Sequence, residues 1–371
     1  MAKIMEFKTL NKKQLSDFID SVEYSKMDNL PISRHRAISQ MANPRLDDND
    51  VLLILCFEED QLCGYLGTLP DFLYYEDHFE KCAWMSCIWI NPTFRGKNIA
   101  FKLVEKGLEL WDNRLLATRF TDPAKKLYDK TGRFNYLCQK QGRRYYLRSD
   151  LHFILAPKHP LFNKLKGILK LKDLFFNFFL DWRYWLIKDS IEGYQFEYIE
   201  KVNEELNEFI RENQNKELFK RSSRDFNWIL NNPWILSAKV KDKMHKKYYF
   251  SSVDKKFEIK ALKIRNVKGQ LCAFIIFTLR NTHLKIPYFY QNTDCRSEPI
   301  RNIILLHIKK WKVSTLSTYN SSVIEILGNL GLLSLYQKKI TNRYIIAKAF
   351  ETNKIQADIH IQDGDGDSVF T

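Results

Sequence analysis

The chain has 371 residues, of which 45% are hydrophobic and 14% aromatic, and its formal net charge is +15. This length favours two domains, and this apolar content excludes a largely disordered protein. The seven cysteines are scattered and form no CxxC pair, which excludes a disulfide framework or a zinc site of that type. No run of about 20 apolar residues is present, so no membrane span is predicted. We expect free thiols in a reducing cytoplasm. The positive charge suits a polyanionic partner, which is a nucleic acid, an anionic membrane surface or a phosphate-rich cofactor, and it equally fits a lysine-rich surface without such a partner.

Hydrophobic periodicity predicts alternating helices and strands over the first 150 residues. In order, the sequence predicts a helix over 12–25, a hairpin of strands 51–57 and 62–69, a strand over 84–90, a helix over 99–111, a strand over 115–120, a helix near 123–130 and closing strands over 136–138 and 144–147. Pro123 supports the start of the last helix, because proline lacks the N–H that a first helical turn leaves unbonded.

Residues 151–190 are basic, aromatic and predicted to be helical. Two interpretations of their apolar face remain open. A basic amphipathic helix with aromatic residues is typical of a segment that lies on a membrane surface. The alternative is that this face packs between two domains. We favour it, because interdomain helices are common.

The second half repeats the element order of the first. It is predicted to form a helix over 201–214, strands over 246–252, 257–264, 270–279 and 284–290, a helix over 298–311, a strand over 314–318, a helix over 321–329 and a strand over 343–349. An acidic tail follows, in which Asp363–Asp367 is similar to the start of a calcium loop. Ser368 stands where that loop requires glycine, so we expect a polar terminal turn and no metal.

The two halves differ at the positions that carry chemistry. In the first, Arg95-Gly96-Lys97-Asn98-Ile99-Ala100 follows an apolar strand and opens a helix, a geometry that points backbone N–H groups at an anion. The corresponding loop of the second half, 292–299, lacks this pattern and carries two carboxylates. Tyr128 lies four residues before Gly132, whereas Leu327 lies four before Gly331. The sequence therefore predicts a nucleotide-type cofactor site in the first half alone.

These residues resemble the GNAT superfamily of N-acetyltransferases. The loop 95–100 is similar to the family pattern [RQ]-x-x-G-x-[GA], with Asn98 where glycine is usual, and residues 124–132 are similar to A-x-x-L-Y-x-K-x-G. The resemblance covers residues 5–150 by motif and 195–350 by element order. It implies an α+β fold of two tandem GNAT-like domains, each with a mixed, mostly antiparallel sheet flanked by helices, the second copy being degenerate. The division predicted is a GNAT domain over 1–150, a helical linker over 151–190, a degenerate domain over 191–350 and a tail over 351–371.

The resemblance implies acetyl transfer from acetyl-CoA to an amine through a ternary complex, without a metal. The loop from Arg95 to Ala100 would hold the pyrophosphate, and Tyr128 would protonate the departing thiolate. The N–H of Ile88 would polarise the thioester carbonyl, while Ile90 and Thr121 would add cofactor contacts. The acceptor expected is a small amine such as an amino sugar. The candidates for a general base follow the third strand, and none stands out: Asp71, Glu76 and His78.

Two alternative functions remain open at this point. One is an aminoacyl-tRNA-dependent transferase similar to the Fem type, which the net charge and the segment 151–190 favour and the phosphate loop disfavours. Binding to nucleic acid is expected only in that case. The other is a non-catalytic protein that binds CoA or a membrane surface through 161–187. A homodimer is compatible with each.

Overall fold

The computed structural model describes residues 5–156, 158–187, 191, 193–351, 355 and 359–371. Up to residue 146 the elements are β1 (Met5–Leu10), α1 (Lys12–Asp20), α2 (Val22–Lys26), α3 (Arg34–Met41), β2 (Leu53–Glu58), β3 (Gln61–Tyr75), β4 (His78–Ile90), α4 (Ile99–Leu110), β5 (Leu115–Thr118), α5 (Asp122–Thr131) and β6 (Phe134–Tyr146). They are followed by α6 (Leu151–Ile154), α7 (Pro160–Lys164), α8 (Lys166–Leu180), β7 (Gln195–Ile199), α9 (Glu204–Glu212), α10 (Ser223–Asn231), β8 (Leu236–Ser237), β9 (Val253–Asp254), β10 (Phe257–Arg265), β11 (Leu271–Arg280), β12 (His283–Gln291), α11 (Ser297–Lys310), β13 (Thr315–Thr318), α12 (Ser321–Leu327) and β14 (Tyr336–Ala347). The predicted α+β class is confirmed.

Strands β3, β4 and β14 are longer than predicted, and four other predicted elements differ from the structure. The helix over 12–25 is two helices, because Ser21 ends α1 and its side chain accepts the N–H of Tyr24 to start α2. The two closing strands are the single strand β6. The strand over 246–252 is absent: Met244–Lys247 is a 3-10 turn, and the ring of Tyr248 is buried in a core of the N-terminal residues. Tyr248 packs into this core and Phe250 packs partly against it, whereas Tyr249 is exposed, and the run forms no pleated strand.

Two compact units make up the chain, and each is assembled from separate segments. The first comprises the described residues of Met1–Lys140, Glu200–Ile259 and Asn342–Thr371. The second comprises those of Gln141–Ile199 and Lys260–Thr341. The sequence predicted domains that are contiguous ranges of the chain. The division into two duplicated domains stays a prediction.

The sheet of the first unit is mixed. Strands β1, β2, β3 and β4 pair in antiparallel order, β4 then pairs with β5 in parallel, and β5 pairs antiparallel with residues 344–346 of β14. Helix α4 packs on this sheet through the stripe Ile99, Leu103, Val104 and Leu108, which is buried. Its spacing of three to four residues puts these side chains on one face of the helix.

The sheet of the second unit has the same kinds of pairing. Strands β7 and β10 are antiparallel, as are β11 and β12, whereas β12 and β13 are parallel. Residues 143–146 of β6 pair antiparallel with β13. The closing strand of each unit thus comes from the other half of the sequence: β14 completes the first unit, and the end of β6 completes the second.

The C-terminal segment is part of the core of the first unit. Ile361 and Phe370 are buried, and the ring of Phe370 stacks on Trp234 with centroids 4.6 Å apart. Residues 363–367 do form turns, but Asp365 is only 1% exposed and receives the guanidinium of Arg221 at 3.0 Å. Residues 363–367 thus form the predicted turn, and a buried aromatic side chain and a buried ion pair hold 361–370 in place, while the division of the chain at residue 351 stays a prediction.

Candidate functional site

A β-bulge interrupts β4 in the first unit. Leu66 of β3 faces Ile88, whereas Gly67 faces Ser86, so Cys87 is an extra residue with φ of 62°. A Cβ at position 67 would lie 2.6 Å from the carbonyl oxygen of Ser86, which explains the glycine. A bulge re-aims the backbone groups around it. The predicted residue Ile88 thus lies directly after the bend.

Strand β4 separates from β5 as it approaches the bulge. The parallel register joins Ala83 to Leu115 and Trp84 to Leu116, and it ends there. Residues 85–90 continue β4 beyond that register, with Ile88 and Ile90 half-buried. An opening between two parallel strands offers backbone groups to an extended molecule, as strand addition at a sheet edge does.

The loop after β4 presents an open helix N-terminus. Gly96 has φ of 87°, and no atom lies within 4 Å of a Cβ built there. Asn98, the N-cap of α4, has φ of 62° and ψ of 20° and makes no side-chain capping bond. The N–H groups of the first turn, which begins with Ile99 and Ala100, therefore stay available to an anion, and the helix dipole favours one. Asparagine adopts this left-handed conformation more readily than most side chains, so it can stand here in place of a glycine.

The positive side chains of this loop are partly neutralised. The Nζ of Lys97 lies 2.9 Å and 3.1 Å from the two carboxylate oxygens of Glu58. Arg95 is exposed. Lys130, from α5, donates a hydrogen bond of 3.3 Å to the side-chain oxygen of Asn98. Arg95 and Lys130 thus bring charge to the loop, while that of Lys97 is shared with an acid.

Helix α5 carries the two other predicted residues. Thr121 is its exposed N-cap and makes no side-chain capping bond. Tyr128 is 5% exposed, and its ring lies 5.6 Å from both Phe120 and Phe134. Burial raises the pKa of Tyr128 well above its usual range. Its phenol is therefore neutral at pH 7 and can only donate or accept a hydrogen bond there.

A buried polar network beside the bulge was not predicted. Arg36 of α3 donates from Nη1 to Cys87 Sγ and to the hydroxyl of Tyr248, each at 2.7 Å. Its Nη2 donates to Ser86 Oγ at 2.7 Å, and that hydroxyl donates to Oδ2 of Asp367 at 2.5 Å. Asp367 is thus the carboxylate that the fold places beside the bend of β4. The tertiary fold brings these five residues together, and no motif in the sequence predicted that they would meet.

The three candidate bases from sequence do not lie beside the bulge. Asp71 is buried, and it accepts from the Nε1 of Trp84 at 2.8 Å. Burial would raise the pKa of Asp71, but the guanidiniums of Arg221 and Arg45 outweigh it and lower that pKa to about 2. Such a carboxylate is a weak base at pH 7. Glu76 and His78 are exposed at the β3–β4 turn, and nine strand residues place that turn about 30 Å from Cys87.

A cavity of about 500 Å³ in the first unit is separate from the bulge and from the loop 95–100. Phe72, Phe79 and Arg211 are among its lining residues, and none of the predicted cofactor residues is. It lies by the β3–β4 turn, at the other end of β4 from the loop. We therefore assign the candidate site to the bulge and the loop 95–100.

The second unit differs from the first at the strand shift, at the helix start and at the position of Tyr128. The pairing of β11 with β12 also shifts, between Ile276 and Thr278, but Pro287 lies in that shift and has no N–H to offer. Glu298 lies in the first turn of α11, where its negative charge disfavours the binding of an anion. Leu327, at the position of Tyr128, is buried.

None of the helices in the described ranges combines the length and the hydropathy that a bilayer crossing requires.

Residues 18–132 match the sequence model of the Acetyltransferase (GNAT) family. A GCN5-related N-acetyltransferase from Anabaena variabilis is 12% identical, and the match covers 92% of this chain and 72% of that one with a TM-score of 0.50. N-myristoyltransferase from Saccharomyces cerevisiae, solved with bound myristoyl-CoA, is 12% identical over 93% of this chain and 83% of that one, also with a TM-score of 0.50. No curated protein sequence matches the chain. The fold is that of GNAT acyltransferases.

Proposed function

We propose that this chain, whose residues 18–132 form a GNAT domain, transfers an acetyl group from acetyl-CoA to the amine of a small acceptor such as an amino sugar. One observation carries the proposal. The first unit combines a bulged, partly unpaired β4 with an uncapped α4 N-terminus directly after it. The second unit, built of the same elements, has a proline at the strand shift and an acid at the helix start.

The loop 95–100 would bind the pyrophosphate of the donor. The N–H groups at the start of α4 point outward from the helix, and the dipole adds a partial positive charge there. Gly96 leaves open space where a side chain would crowd a phosphate. Arg95 and Lys130 supply full charges.

The backbone after the bulge would polarise the thioester carbonyl. Because Cys87 adopts φ of 62°, the N–H of Ile88 follows a bend in the strand and not a regular ladder position. A fixed N–H donor aimed at an oxygen that gains negative charge is among the strongest contributions to acyl transfer.

Tyr128 would assist the departing thiolate with a hydrogen bond. A thiol has a pKa of about 8.5, and burial places the pKa of Tyr128 above the ordinary phenol value. A complete proton transfer from this phenol to a thiolate is therefore uphill. Donation of a hydrogen bond costs no such transfer and still stabilises the leaving group.

Asp367 would receive the proton of the acceptor ammonium. Its carboxylate lies within hydrogen-bond distance of Ser86, one residue before the bulge, and it is half-buried. Asp71 is already neutralised by two guanidiniums, so it does not compete for this role.

Calorimetry with acetyl-CoA tests the binding half of the proposal. Arg95→Glu should abolish or strongly weaken binding. Arg296→Glu is the matched control, since Arg296 is the N-cap of α11 in the second unit. Failure of the unaltered chain to bind acetyl-CoA, or equal binding by the Arg95 variant, would contradict the proposal.

Steady-state rates on an amine panel test the chemistry. Tyr128→Phe should lower kcat by roughly 100-fold or more with little change in KM. Asp367→Asn should lower kcat by roughly 100-fold or more, and an unchanged kcat would exclude Asp367 as the base. An activity that prefers long acyl chains would refute the assignment of acetyl-CoA as donor.

A further inference from the structure

Helix α8 and the turn after it present an apolar surface to solvent. The exposed fraction reaches 77% at Phe178 and 88% at Trp185. We define the apolar face by its exposed members, which are Ile168, Leu171, Leu174, Phe175, Phe178, Phe179, Trp182 and Trp185. Soluble proteins rarely leave such a contiguous set uncovered unless it is an interaction site.

The opposite side of α8 carries one leucine, Leu169, and two polar side chains that the second unit holds. Asp173 is 4% exposed and accepts from Ser149 Oγ at 2.6 Å and from the backbone N–H groups of Leu151 and His152 at 2.8 Å and 2.9 Å. The side chain of Asn177 bonds both the N–H and the carbonyl of Ser149, each at 2.8 Å. These bonds fix how the helix is rotated about its axis.

The usual orientation of an amphipathic helix is therefore inverted. At about 100° per residue, the buried positions 169, 173 and 177 form one narrow stripe, and the apolar face is centred roughly opposite to it. A rotation that buried the phenylalanines would break every bond of Asp173 and Asn177. The outward apolar face is a property of the folded unit and not of a loose segment.

The charges around this face favour an anionic lipid surface over a second copy of the chain. Lys164, Lys166, Lys170 and Lys172 are all exposed on α7 and α8. Two copies meeting through this face would bring both sets of lysines together, in a chain whose net charge is already +15. Anionic headgroups instead attract the lysines, while aromatic rings, tryptophan above all, are favoured at the depth just below them.

We propose that the apolar face of α8 inserts into the interface of an anionic phospholipid bilayer, with the helix lying parallel to the surface. The helix has 15 residues, too few to cross a bilayer. This inference rests on the second unit alone, so it is independent of the acetyltransferase assignment.

Vesicle flotation of the full chain tests the proposal. It should float with vesicles of phosphatidylcholine and phosphatidylserine, float much less with phosphatidylcholine alone, and be released from the former by high salt. The double variant Phe175→Ser, Phe178→Ser should lose roughly tenfold or more in partitioning. Leu332→Ser is the matched control, because Leu332 is 69% exposed in the same unit but lies outside the face.

Thermal unfolding of each variant shows whether the fold is kept. We expect it to be kept, because the substituted positions are exposed. The double variant Lys170→Glu, Lys172→Glu should reduce binding to the anionic vesicles but not to vesicles of phosphatidylcholine. The proposal is overturned if the unaltered chain floats with neither vesicle, or if the phenylalanine variant floats as well as the unaltered chain. It is also overturned if the unaltered chain is a dimer that this variant converts to a monomer, since a second copy then covers the face.

Discussion

Asn98 is the position at which the proposed phosphate site departs from the GNAT pattern that it resembles, and its conformation yields a quantitative prediction. With φ of 62° and ψ of 20°, it is in the left-handed region at the start of α4. Asparagine tolerates this region, whereas a β-branched side chain is strained there by about 1–2 kcal/mol. Asn98→Val should therefore disfavour the loop conformation that binds the anion.

This strain converts to a change in affinity. If the loop of Asn98→Val relaxes when free, binding must restore the strained conformation, and about 1–2 kcal/mol raises the Kd for acetyl-CoA roughly 5- to 30-fold. Asn98→Gly should keep the affinity within about twofold, because glycine adopts the same conformation without strain. It loses only the exposed hydrogen bond from Lys130.

Calorimetry measures the Kd, and urea unfolding measures the stability of each variant. Asn113 supplies the matched control, since it has φ of 59° directly after the other end of α4. Asn113→Val should lower the free energy of unfolding and leave the Kd unchanged. Equal Kd values for Asn98→Val and the unaltered chain would show that the first turn of α4 does not hold the anion.

Two further predictions concern the stability of the first unit. Burial raises the pKa of Asp365 from 3.8 to about 6, so the folded state holds this proton more tightly, and the stability it confers below pH 4 is lost as the pH rises through about 6. From below pH 4 to above pH 6, urea unfolding should show that the free energy of unfolding of the unaltered chain falls by about 3 kcal/mol relative to that of Asp365→Asn. A difference between the two chains that does not change with pH would refute this. Asp71→Asn should show the opposite dependence, because the pKa of Asp71 is lowered and its contribution is lost only as the pH falls through about 2. Gly67→Ala should destabilise the unit by about 1–3 kcal/mol, since the new Cβ would meet the backbone oxygen of Ser86 at 2.6 Å; Gly167→Ala, in open space on α8, should be neutral or stabilising, and equal effects of the two would contradict the role of the bulge.

Local sequence signals were sufficient for the elements around the phosphate loop. The apolar run before Asn91 and the stripe of α4 are periodic over short distances, so α4 and residues 84–90 of β4 were predicted, whereas residues 78–83 of β4 were not. The loop 95–100 lies between them, and its position followed from theirs. The left-handed conformation of Asn98 is likewise a local preference of one residue type.

Contacts between distant residues were not accessible in this way. Asp367 and Ser86 are 281 positions apart, and their hydrogen bond exists because the C-terminal segment returns to the first unit. The exchange of closing strands has the same origin: β14 has an ordinary strand pattern, and nothing in it specifies β5 as its partner. Pairing depends on the whole sheet, which a period of two residues does not encode.

The amphipathicity of residues 166–180 was evident from the amino-acid sequence, but the side that faces the protein was not. A periodic pattern defines two faces, and the usual assumption buries the apolar one. Only the tertiary structure brings the backbone of residues 149–152 against Asp173 and Asn177, where unpaired N–H groups require acceptors. Satisfying those buried groups turns the polar stripe inward, and the phenylalanines are exposed as a consequence.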